Sequence, residues 1–343
     1  MPGLKIVKII GSGFHVPETI VANEEFVKRP ELETTDEWIV SMTGVKERRK
    51  VTDELASDLG MMAAQKALDN AGLEIIDIDL IITATATPDN LFPATACNIQ
   101  EKLMELWQTK YNRKDYIEMK CFDEIAGCTG SIFALETAMA YLQANKYATA
   151  LVIGTEVLTS ITNYNDRQSC ILFGDGAGAL VLTNRDGDGH AIVNTYCRSN
   201  GKIGKGILQM PGPEIKSFFP VEAKNVDSYK IIMKGNRVFP YAVRKMEEAV
   251  NTVIFQAGLK LEDINLIIPH QANSRIIETI REKLGLTKDK FFVNIEKYGN
   301  TSSASVLIAL VEAEQQGKIK KGDWVVLTGF GAGLTWGAIL VKW

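Results

Sequence analysis

Ala71-Gly-Leu-Glu-Ile-Ile-Asp-Ile-Asp-Leu-Ile-Ile82 is repeated later in the chain as Ala257-Gly-Leu-Lys-Leu-Glu-Asp-Ile-Asn-Leu-Ile-Ile268, with eight of the twelve positions identical. Each copy follows an amphipathic helix pattern, over residues 54–70 and 237–256, and each runs into a short apolar strand. Ala-Gly-Leu is a common tripeptide, so a duplication has to be supported by further matches in the same order.

The matches continue. Gly127-Cys128-Thr129 opens a helical pattern that runs to residue 145, and Gly299-Asn300-Thr301 opens one that runs to residue 316. The next matching segments are strands that end in glycine, at 151–154 and 325–329, and glycine-rich turns into a last strand, at 173–182 and 330–341. Four matches in one order favour a duplication over chance similarity.

The chain of 343 residues therefore divides into two similar α/β halves, residues 1–183 and 184–343. Short apolar strands that alternate with longer helices predict largely parallel central strands covered by helices. In such sheets, functional sites lie beyond the carboxyl ends of the strands, where helices begin.

Composition excludes several classes of protein. With 46% apolar and 23% charged residues, the chain is typical of a globular protein. The net charge of −4 argues against a nucleic-acid partner. No apolar run reaches 18 residues, so no membrane span is expected, and the N-terminal stretch reads as a first strand rather than a signal peptide. We expect a cytoplasmic protein.

Cysteine and histidine counts narrow the chemistry further. The five cysteines are odd in number and form no Cys-x-x-Cys pair, which indicates reduced thiols. None of the three histidines has a second histidine or a cysteine at metal-ligand spacing, so no metal site is expected.

Cys128 is the candidate nucleophile. The duplication places Cys128 and Asn300 at matching helix starts, where free N–H groups and the helix dipole favour a thiolate. The other cysteines are predicted to be ordinary buried residues, Cys97 in a helix and Cys121, Cys170 and Cys197 in strand-like runs.

His270 is the candidate partner of Cys128. It ends the apolar run that begins at Leu266, so it lies at the carboxyl end of a strand. A thiol, an imidazole and a carboxamide form a coherent set for acyl transfer through a thioester. His15 and His190 are expected to be surface residues in loops.

Two glycine-rich segments need separate interpretations. Residues 174–179 satisfy the loose dinucleotide-binding pattern, but a strand follows instead of a helix, so a tight turn is predicted and no nicotinamide cofactor. Gly331-Ala332-Gly333 suits close backbone approach to a ligand, with an N–H group available to an oxyanion. The first half is longer by 14 residues around Leu103–Lys120, which predicts a polar insertion that is either a lid, an interface element or a solvated excursion.

At these residues the sequence resembles the thiolase-like condensing enzymes, and within them the 3-oxoacyl-acyl-carrier-protein synthase III family. The resemblance covers nearly the whole chain. Its elements are Thr35–Ile39, Thr43–Val45, Phe92–Ala94, Gly127–Cys128, Asp166–Arg167, Phe173–Gly178, Gly235–Asn236, Pro269–Asn273, Gly299–Ser302 and Thr335–Gly337.

The resemblance implies a thiolase-like fold with two duplicated α/β halves packed as five layers, α-β-α-β-α, and a homodimer. It implies decarboxylative Claisen condensation of an acyl-CoA with malonyl-acyl-carrier protein to a 3-oxoacyl thioester, the first step of fatty-acid synthesis. An acyl-cysteine forms on Cys128, and His270 and Asn300 stabilise the enolate. No cofactor is implied, since the CoA thioester is itself a substrate.

The resemblance also assigns residues that bind the substrates. The backbone N–H groups of Cys128 and Ala332 form the oxyanion hole. The remaining assignments are Trp38 and Arg167 for the CoA adenine, Gly235, Asn236, Ala272 and Asn273 for the pantetheine tunnel, Phe92 for the partner subunit's acyl pocket, and Arg275 for carrier docking. Arg237, Arg244 and Lys245 lie near Arg275 in sequence, which suits either an acidic partner or a solvated helix face.

Three positions depart from the family pattern. Met42 replaces an arginine of the CoA clamp, Pro240 replaces a carrier-docking lysine, and the nucleophile lies in Gly-Cys-Thr-Gly rather than Ala-Cys-Ala-Gly. These departures leave open a ketosynthase of specialised metabolism with a different acyl donor or acceptor. A hydroxymethylglutaryl-CoA synthase-like enzyme is a further alternative, with Glu124 or Glu156 as its base.

Overall fold

The computed structural model describes residues 5–204, 206–211 and 230–343. Its strands are β1 (Val7–His15), β2 (Ile20–Ala22), β3 (Glu47–Arg49), β4 (Leu80–Ala84), β5 (Lys120–Glu124), β6 (Thr149–Val157), β7 (Asp175–Thr183), β8 (His190–Ser199), β9 (Leu208–Gln209), β10 (Ile232–Met233), β11 (Leu266–Pro269), β12 (Trp324–Gly331) and β13 (Thr335–Lys342). Its helices are α1 (Glu24–Val27), α2 (Asp36–Thr43), α3 (Ala56–Ala71), α4 (Thr95–Tyr111), α5 (Gly130–Gln143), α6 (Arg167–Cys170), α7 (Gly201–Gly204), α8 (Gly235–Gln256), α9 (Ser274–Lys283), α10 (Ile295–Tyr298) and α11 (Ser305–Gln315). The predicted first strand begins at Val7, and residues 1–4 lie outside the described part.

Nine of the described strands form one hydrogen-bonded sheet, in the order β11-β12-β13-β8-β1-β7-β6-β4-β5. The pairs β4–β5, β4–β6 and β11–β12 are parallel, whereas β6–β7 and β12–β13 are antiparallel. The largely parallel sheet predicted from the sequence is therefore mixed. The three residues between β12 and β13 are too few for the crossover that a parallel pair needs, so that pair has to be a hairpin.

Two helices lie at the centre of the molecule. α5 and α11 pack in one apolar cluster with strand residues from both parts of the sheet, among them Leu80 and Ile82 from β4 and Leu327 from β12. Side chains on the opposite strand faces pack outward, Ile81 against α3 and α4 and Val326 against α8 and α9. Since successive side chains of a strand alternate between faces, this arrangement makes five layers, α-β-α-β-α, as expected.

The predicted polar insertion at 103–120 is wrong. α4 continues to Tyr111, and Leu103, Met104 and Trp107 are buried against α3. Only residues 112–119 form a loop. Residues 103–111 of this segment thus continue the helix, and the apolar residues among them belong to the core.

Three smaller expectations are also corrected. Gly176 and Gly178 lie inside β7, which pairs with β6, rather than in a turn. Gly178 allows close packing on α11, since a Cβ there would be 2.5 Å from Leu307 Cβ. Cys170 ends the short helix α6, whose start is capped by Asp166, rather than a strand. His15 ends β1, and His190 begins β8 and stacks on Trp343, with ring centroids 3.8 Å apart, so both are half-buried strand residues.

None of the described helices combines the length and hydropathy that crossing a bilayer requires. Within the same residues, the His, Cys, Asp and Glu side chains form no cluster of three that suits a metal ion. All five cysteines are free thiols.

Candidate active site

A cavity of about 630 Å³ opens between the two halves of the chain. Ten of the predicted site residues line it: Trp38, Cys128, Gly235, Asn236, His270, Ala272, Asn273, Arg275, Asn300 and Ala332. Arg167 lies beside it, against Trp38, and Phe92 lies on the outer surface, 85% exposed. The structure thus brings the three predicted catalytic side chains to one cavity from separate helix starts and a strand end.

Cys128 lies in a 3-10 turn, Gly127–Thr129, that leads directly into α5. Two glycines allow this turn to touch the end of β12. A Cβ at Gly331 would be 2.6 Å from Cys128 N, and one at Gly127 would be 2.9 Å from Ala332 N. The backbone N–H groups of Cys128 and Ala332 are therefore neighbours, as an oxyanion hole requires.

A threonine pair holds this junction. Thr129 Oγ1 and Thr335 Oγ1 are 2.7 Å apart, and Thr335 Oγ1 is 2.9 Å from Ala126 O and 3.0 Å from Ala332 O. The hydroxyl of Thr335 thus contacts the chain on both sides of the proposed oxyanion hole.

Burial controls the charge of the nucleophile. Desolvation raises the pKa of the Cys128 thiol to about 11, against a smaller lowering by the Ser302 hydroxyl. Roughly one thiol in ten thousand is then ionised at pH 7 in the free protein. The sequence predicts that the helix start favours a thiolate, and in the folded protein the loss of solvent opposes that effect.

His270 follows β11, is 2% exposed, and donates its backbone N–H to Thr328 O at 2.7 Å. Its Nδ1 lies 2.6 Å from Ser305 Oγ, which leaves Nε2 for the cavity. Burial lowers the pKa of His270 to about 3, so the imidazole is neutral at physiological pH. A neutral imidazole can donate one hydrogen bond without carrying a charge.

Asn300 is anchored across the two halves. Its N–H donates to Leu172 O at 2.9 Å, and its carbonyl accepts from Gly174 N at 3.1 Å. Its side-chain Oδ1 accepts from Ser302 N at 2.8 Å, which fixes the orientation of the amide. Because the Nδ2 group is a donor only, Asn300 presents N–H bonds to the cavity.

Neither candidate glutamate of the hydroxymethylglutaryl-CoA synthase-like alternative lines the cavity. Glu156 is fully buried behind it and accepts from Ala86 N, Thr87 Oγ1 and Ser303 Oγ at 3.0, 2.9 and 2.7 Å. Burial raises the pKa of Glu156, and the same holds for Glu124 on β5. Through these hydrogen bonds, the carboxyl group of Glu156 connects the loop after β4 to the segment before α11. Its role in the structure is therefore to hold these two segments together.

The cavity mouth combines an aromatic stack with polar groups. The Arg167 guanidinium lies 4.0 Å from the centre of the Trp38 ring, which leaves no room for a third planar group between them. Asn273 Nδ2 donates to Met42 O at 2.9 Å, and an Arg275 guanidinium nitrogen is 3.7 Å from Met42 Sδ. Met42 therefore packs directly against Arg275.

The walls behind the mouth are mainly apolar. They include Met233, Val238, Met246, Leu172 and Phe330. Unbranched methionine side chains adapt to ligands of different shape. Such a lining suits a flexible, weakly polar arm better than a sugar or a nucleic acid.

The sequence did not reveal the roles of Ser305 and Ser303, the structural use of Glu156, or the close approach of Gly127 to Ala332 and of Gly331 to Cys128. The one available signal was the run Thr-Ser-Ser-Ala-Ser at 301–305, rich in hydroxyls at a helix start. Helix starts favour serine for capping alone, so this run did not point to His270.

Comparisons with known proteins agree with this geometry. Residues 122–201 and 254–343 match the family models "3-Oxoacyl-[acyl-carrier-protein (ACP)] synthase III" and its C-terminal part. A beta-ketoacyl-[acyl-carrier-protein] synthase III of Clostridium acetobutylicum is 46% identical over 98% of each chain. The crystal structure of 3-oxoacyl-[acyl-carrier-protein] synthase III from Aquifex aeolicus is 41% identical, with a TM-score of 0.87 over 98% of this chain and 100% of that one. A priming beta-ketosynthase of a polyketide biosynthetic pathway is 30% identical, with a TM-score of 0.85 over 100% of this chain and 98% of that one.

Proposed function

We propose the following reaction on the premise that this chain belongs to the 3-oxoacyl-acyl-carrier-protein synthase III family. The protein is an acyltransferase of the condensing type. It joins an acyl-CoA to malonyl-acyl-carrier protein and so starts a fatty acid. The observation that carries the proposal is the convergence of Cys128, His270, Asn300 and Ala332 on one cavity.

The first half-reaction loads the acyl group. The Cys128 sulfur attacks the thioester carbonyl of the acyl-CoA, the oxyanion accepts hydrogen bonds from Cys128 N–H and Ala332 N–H, and the bond to the CoA sulfur breaks. The proton that the cysteine loses is balanced by the one that the departing CoA thiolate gains. The enzyme is left as a neutral acyl-cysteine.

The second half-reaction forms the carbon–carbon bond. Malonyl thioester binds with its carbonyl oxygen against His270 and Asn300, whose N–H groups stabilise the enolate as carbon dioxide leaves. The resulting carbanion attacks the acyl-cysteine carbonyl, and the bond to Cys128 breaks. The Cys128 thiolate then takes up a proton, which restores the resting thiol. None of these steps uses a metal or a redox cofactor.

Separate assays of the half-reactions test this assignment. Intact-mass spectrometry of the protein with an acyl-CoA should show one acyl adduct, which Cys128→Ala loses. His270→Ala and Asn300→Ala should still acquire the adduct but release carbon dioxide from malonyl thioester at a rate lower by about a hundredfold or more. An adduct that survives in Cys128→Ala, or normal decarboxylation in both other variants, contradicts the mechanism.

The cavity mouth suits the CoA substrate. We place the adenine beside Trp38 after Arg167 swings away from the ring, and the pantetheine arm past Gly235, Asn236, Ala272 and Asn273. The exposed Arg275 at the mouth would attract the acidic carrier protein, with Arg237 and Arg244 on α8. Lys245 contributes less, because it pairs with Glu248 at 2.5 Å.

A second copy of the chain would cover one apolar face. β5 is at the edge of the sheet, and the start of α4 is tied to it by Asp123, which accepts from Thr95 N and Ala96 N at 2.6 and 2.8 Å. Leu91 and Phe92, just before α4, and Ile125, just after β5, are 82%, 85% and 74% exposed. An unpaired edge strand beside exposed apolar side chains is typical of a protein interface, so a homodimer is part of this proposal.

Phe92→Asp tests the dimer. The charge should weaken self-association by at least tenfold in sedimentation equilibrium, because an unpaired carboxylate would have to be desolvated in the interface. Phe255→Asp is the matched control, since Phe255 is 82% exposed at the end of α8 in the other half of the chain. Equal self-association of Phe92→Asp and wild type would argue against this interface.

Two candidate functions differ in the acyl group that is loaded. The similarity to a polyketide priming ketosynthase and the apolar walls favour a second candidate, a ketosynthase of specialised metabolism with a longer acyl donor. A panel of acyl-CoA thioesters, read by intact mass, decides between them: fastest loading by the shortest chains supports fatty-acid initiation. Both candidates act on CoA and carrier thioesters, and we place the protein in the cytoplasm, where its free thiols stay reduced.

A further inference from the structure

The hydroxyl of Ser305 contacts the imidazole of His270, with Oγ 2.6 Å from Nδ1. We propose that Ser305 is a positioning residue that fixes His270 in the tautomer with the proton on Nε2, so that the imidazole acts as a hydrogen-bond donor and not as a base. The consequence for decarboxylation rests on the proposed function, but the tautomer itself is a property of the free protein.

The argument counts hydrogen bonds at one oxygen. Ser305 Oγ accepts from the Gln271 backbone N–H at 3.3 Å and lies 2.6 Å from His270 Nδ1. Among the described residues, no other acceptor lies within hydrogen-bond distance of Ser305 Oγ. The Ser305 hydroxyl carries one proton, and His270 Nδ1 is its one available acceptor.

The opposite tautomer leaves a buried donor without a partner. If Nδ1 carried the proton, it would donate to Ser305 Oγ, and the Ser305 hydroxyl proton would have nowhere to go. Ser305 and His270 are each 2% exposed, so water does not compensate. An unpaired buried hydroxyl disfavours this tautomer by about ten- to a hundredfold.

The same short segment fixes both donors. Ser302 N–H occupies the acceptor oxygen of Asn300, and five residues after Asn300 the Ser305 hydroxyl occupies the acceptor nitrogen of His270. The ring of His270 is left with only Nε2–H for the cavity, and the amide of Asn300 is oriented by the hydrogen bond to its oxygen. Residues 300–305 therefore orient both side chains as hydrogen-bond donors.

The tautomer can be measured directly. Nitrogen-15 histidine NMR of the full chain at pH 7 should show His270 with an unprotonated Nδ1 and a protonated Nε2. The chain has only three histidines, so a His270→Gln sample identifies the signals. A protonated Nδ1 in the wild-type protein overturns the proposal, whatever the enzyme assays show.

Variants of Ser305 test the consequence. Ser305→Ala should lower the ratio of the two tautomers by about ten- to a hundredfold. Because the rate follows the fraction of molecules in the competent tautomer, malonyl decarboxylation should slow by at least about twofold, while acylation of Cys128 keeps its wild-type rate. Ser305→Thr keeps the hydroxyl and should restore the tautomer. Ser131→Ala is the matched control, since Ser131 is a buried serine at the start of α5 whose hydroxyl has no partner among the described residues.

Each result has a distinct meaning. An unchanged tautomer in Ser305→Ala, equal losses in both half-reactions, or a threonine variant as impaired as alanine assigns Ser305 a packing role and overturns the inference. If the wild-type protein shows the expected tautomer but does not decarboxylate malonyl thioester, the proposed function fails and the assignment of Ser305 stands.

Discussion

Gly331→Ala should disable acylation by displacing the backbone of the nucleophile. Gly331 ends β12, and a Cβ there would lie 2.6 Å from Cys128 N, 3.0 Å from Thr129 N and 3.0 Å from Thr129 Oγ1. Ordinary contacts of this kind are about 3.5 Å, so one side has to retreat by nearly 1 Å. The obstacles are backbone atoms at a helix start, which cannot rotate away as the end of a flexible side chain does.

The residue displaced by this substitution is Cys128, the proposed nucleophile. In the proposed mechanism, Cys128 supplies both the sulfur and one oxyanion N–H. A misplacement of about 1 Å at a reacting centre costs about a hundredfold in rate. Loss of an oxyanion donor costs a similar factor, about a hundred- to a thousandfold. Overpacking should lower the free energy of unfolding by about 1–3 kcal/mol, so the variant is expected to fold.

Rapid-quench intact-mass spectrometry measures the acylation rate, and thermal unfolding reports stability. Gly201→Ala is the control, because no atom of the described residues lies within 4 Å of its added Cβ and its φ is not positive. It should load acyl groups at the wild-type rate. A folded Gly331→Ala that acylates within about threefold of wild type would refute the role of the Cys128 N–H in this step.

Two further predictions concern pH. The alkylation rate of Cys128 by iodoacetamide, after subtraction of a Cys128→Ala background, should rise about tenfold per pH unit from pH 7 to 9, because burial raises the pKa of this thiol to about 11; a plateau below pH 8 would contradict this. His270, whose pKa burial lowers from 6.5 to about 3, contributes stability that is present above pH 6.5 and is lost as the pH falls towards 3. From pH 7 to pH 5 the free energy of unfolding should therefore fall by about 2 kcal/mol more in wild type than in His270→Gln. Urea unfolding at both pH values checks this, and equal losses in the two proteins would contradict it.

The positions of the three catalytic candidates could be predicted from the sequence, chiefly because of the duplication. Matching Gly-Cys-Thr with Gly-Asn-Thr placed Cys128 and Asn300 at equivalent helix starts, and the apolar run before His270 placed it at a strand end. The structure has all three facing one cavity. Local patterns sufficed because each of these residues marks the boundary of a regular element.

The same comparison of halves produced the main error. Treating the longer first half as one inserted block hid the helical spacing of Ala96, Ile99, Leu103 and Trp107, all of which are buried in α4. Residues 103–111 fit the period of the preceding helix, and that signal is stronger than the mixed polarity of the segment. A length difference between repeats shows that residues were gained, not that they form a loop.

Local sequence patterns could not predict the pKa of the Cys128 thiol or the hydrogen-bond partners of Glu156. A helix start predicts a stabilised thiolate, but the balance depends on how much solvent the tertiary fold removes, and here burial raises the pKa of Cys128. The sequence offers Glu156 as a candidate base, whereas its hydrogen-bond partners come from segments about 70 and 147 positions away. Only the packed molecule shows that its carboxylate joins two loops.

A reaction centre without formal charge suits decarboxylation. With Cys128 acylated and His270 neutral, the malonyl carboxylate would lie between mainly apolar walls, and among the described residues that line the cavity only Arg275, at its mouth, is charged. Such walls stabilise a carboxylate poorly, and departure of carbon dioxide moves that charge onto the thioester oxygen. There it meets two N–H donors whose orientations are already fixed by Ser302 and Ser305, so nothing must reorganise as the charge develops. A protonated His270 would also attract the substrate carboxylate before reaction and so stabilise the ground state, which gives no acceleration of the chemical step.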